Sequence, residues 1–287
     1  MSFLDQNTGL GFPAAAGFGL LVGSFLNVVI LRLPKRLEWE WKRDSREVLG
    51  EPEIYDPPPP GIVVERSHCP HCRHQLAWWE NIPLVSWLAL RGKCRNCHAP
   101  ISLQYPLVEL LTMLLVLASV WRFGFGWQGF GAIVFSCFLV ALSGIDLRTQ
   151  LLPDQITLPL LWFGLLMSLA PVFIASGASI TGAAIGYLSL WSVYWLFKLT
   201  TGKEGMGYGD FKLLGAFGAW MGPWALLPII LLSSLFGAII GGIFLVVHGH
   251  DRSTPIPFGP FIAVSGWGYF LFAEPLSSFY QHLFGLM

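Results

Sequence analysis

Residues 6–31 read QNTGLGFPAAAGFGLLVGSFLNVVIL, 26 consecutive positions without Asp, Glu, Lys or Arg. A helix crosses the hydrocarbon core of a bilayer with about 20 apolar residues, so this stretch is long enough for one span. The same measure applied along the chain finds more. Residues 103–120 give a second span with Glu109 in its first turns, and the 23 residues between Arg122 and Asp146 give a third. The 43 residues between Asp154 and Lys198, broken at Pro171 and at Ser176-Gly177, read as two helices and a turn. The 38 between Lys212 and Asp251, interrupted by Pro223 and Pro228, give two shorter ones, and the 21 between Arg252 and Glu274 give the last. The total is eight.

Composition agrees. Of 287 residues, 54% are hydrophobic and 12% charged, against about 25% charged in soluble domains. Disorder, collagen, a DNA-binding domain and a disulfide scaffold are excluded. The 17 basic and 17 acidic residues cancel overall, but residues 34–100 hold 10 of the basic and 9 of the acidic ones. With eight alternating spans, every Lys and Arg except Arg122 falls on one side, which the positive-inside rule makes cytoplasmic. The insert at 34–102 is then cytoplasmic and both termini lie outside. Residues 1–31 carry no Lys or Arg, so the first span reads as permanent, not as a cleaved signal.

The insert carries Cys69-Pro-His-Cys72 and Cys94-Arg-Asn-Cys97, two C-x-x-C pairs with 21 residues between them. Each pair can offer two thiolates to one tetrahedral ion, and two pairs make a closed structural zinc site. Two disulfides are the alternative, disfavoured in a reducing cytoplasm. His68, His71, His74 and His98 flank the pairs and read as surface residues, Cys137 reads as a packing residue, and Pro57–Pro60 reads as a stiff connector. Residues 35–53 suggest a short helix, solvated or interfacial.

Ionisable residues at the border of membrane spans are functional candidates, because a charge there is costly. Asp146, in GIDLRTQLLPD at 144–154, and Asp210, in MGYGD at 206–210, arrive at the same edge on different helices. Two neighbouring carboxylates share one proton, which suits an aspartyl protease: one activates water while the other donates to the peptide carbonyl. Gly207 and Gly209 would let the backbone bend and a substrate strand approach. The plainer readings are a helix cap for Asp210 and an interfacial pair with Arg148 for Asp146. Asp154 competes with Asp146 but suits a first-turn role. Glu109 reads as paired with a basic residue or set favourably at a helix N-terminus. His248, His250 and Asp251 read as a short loop without a full ligand set. A nucleotide site of the usual kinds has no motif here.

Together, GSFLNVVILRLP at 23–34, the two C-x-x-C pairs, RGKC at 91–94, YPLVE at 105–109, Asp146 with LPD at 152–154, and GYGDFK at 207–212 resemble the bacterial type IV prepilin peptidases. These are bifunctional leader peptidase/N-methyltransferases of pilus and type II secretion systems. The resemblance covers nearly the whole chain. It implies catalytic aspartates at Asp146 and Asp210, with Gly207, Gly209 and Lys212 in support. It also implies prepilin or pseudopilin substrates cut at the inner face, and methylation of the new N-terminus with S-adenosylmethionine. Family members without the cysteines exist, so zinc at Cys69, Cys72, Cys94 and Cys97 would organise the insert and take no part in hydrolysis. Gly92 and Lys93 are candidates for the methyl-donor site.

The resulting expectation is an all-α polytopic protein of a bacterial inner membrane. It has a first span at 1–33, a four-cysteine insert at 34–102 and a seven-helix protease domain at 103–287, with the lipid bilayer and pilin precursors as partners and no nucleic acid. The rival from another class is a proton- or ion-coupled transporter using Glu109, Asp146 and Asp210.

Overall fold

The computed structural model describes residues 9–52, 56–243 and 257–272 with their side chains, and the helix backbone of 8, 244–248 and 273–284 besides. His250, Asp251 and Arg252 lie outside the described residues. Among the described residues, nine α-helices run in chain order: α1 Thr8–Leu49, α2 Val85–Ala89, α3 Gln104–Phe123, α4 Trp127–Thr149, α5 Asp154–Leu169, α6 Ser176–Thr201, α7 Tyr208–Met221, α8 Leu226–His248 and α9 Gly259–Phe284, kinked at Phe272. Apart from the short α2, they coincide with the eight apolar stretches. Five of them (α1, α3, α4, α6 and α8) are long and apolar enough to cross a membrane. The protein is an all-α polytopic membrane protein. α5 and α7, with 16 and 14 residues, are shorter than a bilayer core, as is the straight part of α9 before its kink.

The helices fall into two compact units, Met1–Phe125 with Ala132–Ala141, and Gly126–Gly131 with Leu142–Met287. In the first unit α1 and α3 pack antiparallel along a stripe of α1 residues spaced by four. A Cβ built on Gly19 would stand 2.7 Å from the Met113 Cα, and one on Gly23 would stand 2.7 Å from the Glu109 Cα. One turn on, the Asn27 amide donates to the Tyr105 carbonyl at 3.0 Å. Small residues let the backbones close up where lipid offers no hydrophobic drive for helix association.

α1 does not stop at the membrane. It continues through Pro34 to Leu49 as one helix, where the sequence suggested a span followed by a short helix. Pro34 forfeits one backbone hydrogen bond, yet i,i+4 pairs Arg36–Glu40 and Lys42–Glu38 support the polar extension. The chain then turns back along α1. The Arg32 guanidinium donates to the carbonyls of Gly61 and Glu65 at 2.6 and 3.0 Å, and the Trp39 indole to that of Asp56.

In the second unit α7 is the core. Asp210, Phe211 and every residue from Leu213 to Trp220 are buried, the pattern of a helix enclosed on nearly all sides. α6 lies against it at Gly182, whose added Cβ would stand 2.3 Å from the Gly218 carbonyl oxygen, and the Ser179 hydroxyl donates to the Ala219 carbonyl. On α5, Gly164 takes the Trp220 ring, whose Nε1 donates to the Leu160 carbonyl at 2.9 Å. On α9, Gly266 faces the Phe217 ring. Gly218→Val should therefore cost about 1–3 kcal/mol or more through overpacking and lower the thermal midpoint in detergent. Gly177→Ala, with open space around it, should leave that midpoint unchanged.

Candidate active site and metal centre

Asp146 lies in the last turn of α4 and Asp210 in the first turn of α7, both buried. They are close enough to interact electrostatically. Each carboxylate is held by one backbone N–H from the start of a helix. Gly259, the first residue of α9, donates to Asp146 Oδ2 at 2.9 Å, and Gly207, the N-cap of α7, donates to Asp210. The N-terminal end of a helix carries unsatisfied donors and a partial positive charge, which suits an acidic group.

The local sequence explains the fit. Gln150, at φ 55°, ends α4 in a left-handed turn, and Pro153 then starts α5. This brings Leu152 between two glycines: a Cβ on Gly209 would stand 2.5 Å from the Leu152 Cβ, and one on Gly259 would stand 3.1 Å from Leu152 Cδ2 and 2.7 Å from Asp146 Oδ2. Both glycines are required by close approach. Gly207 is not: its added Cβ would meet nothing nearer than Asp210 Oδ2 at 3.7 Å.

Asp154 is placed apart from this pair. Its half-exposed carboxylate accepts a hydrogen bond from Lys212, an ion pair that ties the starts of α5 and α7 together. Lys212 thus braces the helix that carries Asp210. Sequence reasoning missed Gly259 and Leu152. The available signal was Pro257-Phe258-Gly259-Pro260 at the head of the last span, a glycine set among helix-starting prolines.

The insert forms the second candidate site. Its two cysteine pairs fold into matching hairpins: Cys69 N–H donates to the His74 carbonyl and Cys94 N–H to that of Ala99, Leu76 N–H to Ser67 and Ile101 N–H to Gly92. Arg73 and His98, each following the second cysteine of its pair, share φ 58°. The repeat is one of backbone geometry, so it left little trace in side-chain identities. The four sulfurs lie within 4.8 Å of one another, with Cys69–Cys97 at 3.8 Å and Cys72–Cys94 at 4.0 Å. A regular tetrahedron with metal–sulfur bonds of about 2.3 Å has sulfur–sulfur edges of about 3.8 Å, so this donor set can close around one ion.

Its electrostatics suit a cation. The His74 backbone N–H and the Asn96 amide pull the Cys72 thiol down to about 6. The Ala99 backbone N–H favours the Cys97 thiolate, but desolvation and the Cys72, Cys94 and Cys69 sulfurs outweigh it and push Cys97 up to about 11. Four adjacent thiolates need a positive charge among them. His74 is turned away to Glu80 at 3.3 Å. Gly92, at φ +67°, packs under the Trp87 ring within its hairpin, a requirement that accounts for glycine at this position.

Glu109 neither pairs with a basic residue nor caps its own helix. Buried in α3, it accepts the backbone N–H of Leu84 at 2.8 Å and the Ser24 hydroxyl of α1, fastening the insert to the α1–α3 pair.

The pattern described as the bacterial peptidase A24 N-terminal domain matches residues 18–123, and that of the type IV leader peptidase family matches 133–242. Over 286 residues and the full length of both chains, the protein is 65% identical to a prepilin leader peptidase/N-methyltransferase of Xanthomonas campestris pv. campestris. The chain belongs to the type IV leader peptidase family. Relatives of the same description include those of Aeromonas hydrophila, 54% identical over 92% of this chain and 91% of that one, and Pseudomonas aeruginosa, 53% identical over 93% and 92%. The reading as a transporter finds no support among them. No solved structure matches. The two family patterns meet between residues 123 and 133, and the two compact units interleave over residues 126–141.

Glu109→Leu should leave the Leu84 N–H unpaired in a buried setting, at a cost of about 1–3 kcal/mol. In detergent, limited proteolysis of residues 76–91 should then speed up while the α7 region stays resistant.

Proposed function

We propose that the protein removes the basic leader from type IV prepilins or pseudopilins by a two-aspartate mechanism and methylates the new N-terminus, acting in a bacterial inner membrane. The observation that carries the hydrolytic half is the pair of buried carboxylates, Asp146 and Asp210, each held by a single helix-initial N–H. Held in this way, the pair shares one proton and one negative charge. The ionised member takes a proton from water as it attacks the scissile carbonyl carbon, and the protonated member donates to the carbonyl oxygen. As the tetrahedral intermediate collapses, the C–N bond breaks and the departing nitrogen takes up a proton. No acyl-enzyme forms. Gly207, whose added Cβ would meet nothing nearer than Asp210 Oδ2 at 3.7 Å, leaves room beside the pair for an extended substrate backbone, while Gly209 is filled by Leu152. Lys212, through Asp154, keeps α7 in register.

The insert faces the cytoplasm and both termini lie outside, in accordance with the distribution of Lys and Arg. Residues 34–102 form the insert, and the seven helices from residue 103 onward carry the protease site. Cys69, Cys72, Cys94 and Cys97 hold one zinc ion in a structural role, since all four positions are filled by thiolates and none is left open for water or substrate. S-adenosylmethionine, when bound, supplies an electrophilic methyl group on a sulfonium. A cleft of about 570 Å³ between α1 and the insert, lined by Phe25, Val28, Glu65, Arg66 and Trp78, has room for such a ligand. Its carboxylate, guanidinium and indole suit the ribose hydroxyls, the carboxylate and the adenine of that donor; Gly92 and Lys93 do not line it.

Incubating the purified protein with a prepilin in detergent tests the reading. Asp146→Asn and Asp210→Asn should each abolish leader removal, while Asp154→Asn should retain it. Leader removal by either of the first two variants would overturn the protease assignment. Metal analysis should find one zinc per chain, lost in Cys69→Ser/Cys94→Ser. Withholding S-adenosylmethionine should leave cleavage intact and the product unmethylated. Glu65→Gln should raise the donor's KM for methylation without slowing cleavage.

A further inference from the structure

α3 is 20 residues long, about 30 Å at 1.5 Å per residue, which matches the thickness of a hydrocarbon core. The whole of α3 is therefore needed to cross. Glu109 is its sixth residue, about 7.5 Å below the helix start on that rise. The N–H that Glu109 accepts belongs to Leu84, the residue that opens α2. Ser24, which also binds Glu109, lies eight residues before Arg32 on α1, again inside the span. A piece of the supposedly aqueous insert is thus hydrogen-bonded to two membrane helices below their polar ends.

The surface of that piece agrees independently. From Trp78 to Leu90 the chain has a single charged residue, Glu80. It is buried, accepting the Ala77 N–H and facing His74. The outward face is apolar: Val85 is 58% exposed and Leu88, one turn on, is 67% exposed, while Trp87 turns inward onto Gly92. Exposed Arg91, Lys93 and Arg95 follow at once, with Arg95 lying over the Trp79 ring at 4.4 Å. Aromatic residues, an uncharged face and basic residues at its edge are what the interface between acyl chains and anionic headgroups accepts.

We propose that residues 78–90 form an interfacial membrane segment, with the Val85–Leu88 face of α2 in the acyl region and Arg91, Lys93 and Arg95 at headgroup phosphates. The insert is then anchored at the bilayer surface and does not move freely in the aqueous phase. The second cysteine hairpin, which begins three residues after Leu90, is held at the level where a membrane-embedded substrate exposes its end. The proposal rests on the chain spanning a membrane and is independent of the assignment of either enzymatic activity.

The test uses the full-length protein in phosphatidylethanolamine/phosphatidylglycerol vesicles, with a genetically encoded fluorescent amino acid at position 85, 88 or 42. Lys42 lies on the polar extension of α1 and serves as the aqueous reference. Brominated lipids should quench the probes at 85 and 88 several-fold more strongly than the probe at 42, and aqueous iodide should show the reverse order. Equal lipid quenching at all three positions would overturn the proposal. So would probes at 85 and 88 shielded from both quenchers, because the face would then be covered by protein, such as a second copy of the chain. Leader removal serves as the check of folding. If the unsubstituted protein failed it as well while the lipid quenching held, the anchoring would stand and the enzymatic reading would be the one in trouble.

Discussion

Two carboxylates buried side by side at the ends of apolar helices are an electrostatic liability, and the architecture of the second unit is organised around tolerating it. Asp146 has the Gly259 N–H and Asp210 the Gly207 N–H, so each acid is matched by the start of a helix. That solution fixes much else. Two helices must begin at the site, a third must end there, and the intervening turn at Gln150–Pro153 must be tight enough to slot Leu152 between Gly209 and Gly259. The enclosure of α7 from Leu213 to Trp220 serves the same demand. A helix that positions a charge inside a membrane protein gains from being held on every face, and glycines at 164, 182 and 266 bring α5, α6 and α9 against it.

The first unit meets a different constraint. Its insert has little apolar interior of its own, so it borrows order from two sources, a cluster of four thiolates suited to one ion and the α1–α3 pair. Arg32 and Glu109 are the fasteners. One is a cation that gathers carbonyls of the returning connector, and the other is a buried carboxyl group that collects a backbone N–H from the insert. Each side chain is matched by backbone groups, which makes the attachment directional.

Much of this was legible in the sequence. The runs free of charge located the helices, because a bilayer tolerates few charges and α-helix is the form that lets a single span satisfy its own backbone. The two C-x-x-C pairs marked the cluster, because a tetrahedral ion leaves few workable spacings. Asp146 and Asp210 stood out because they are carboxylates at the same edge of different spans. The less legible parts depend on backbone groups and tertiary approach. Gly259 contributes an N–H that any residue but proline carries, and what singles it out is the closeness of Asp146. The matching of the two hairpins lies in hydrogen bonds and left-handed residues such as Arg73 and His98. The continuation of α1 through Pro34 defied the local signal, since the α1 pairs and the Arg32 grip outweigh the one missing bond. Glu109 was conspicuous as an acid in a span, yet its partner is a main-chain donor 25 residues upstream that no side-chain pattern identifies.

The central claim is that Asp146 and Asp210 act together on one tetrahedral centre. Its most direct measurement is the affinity for a prepilin peptide in which a hydroxyethylene group replaces the scissile amide, determined by calorimetry in detergent. A mimic of the tetrahedral state should bind at least about 100-fold more tightly than the uncleaved peptide, and Asp146→Asn and Asp210→Asn should each remove that advantage. An advantage that survived in either variant would contradict the account.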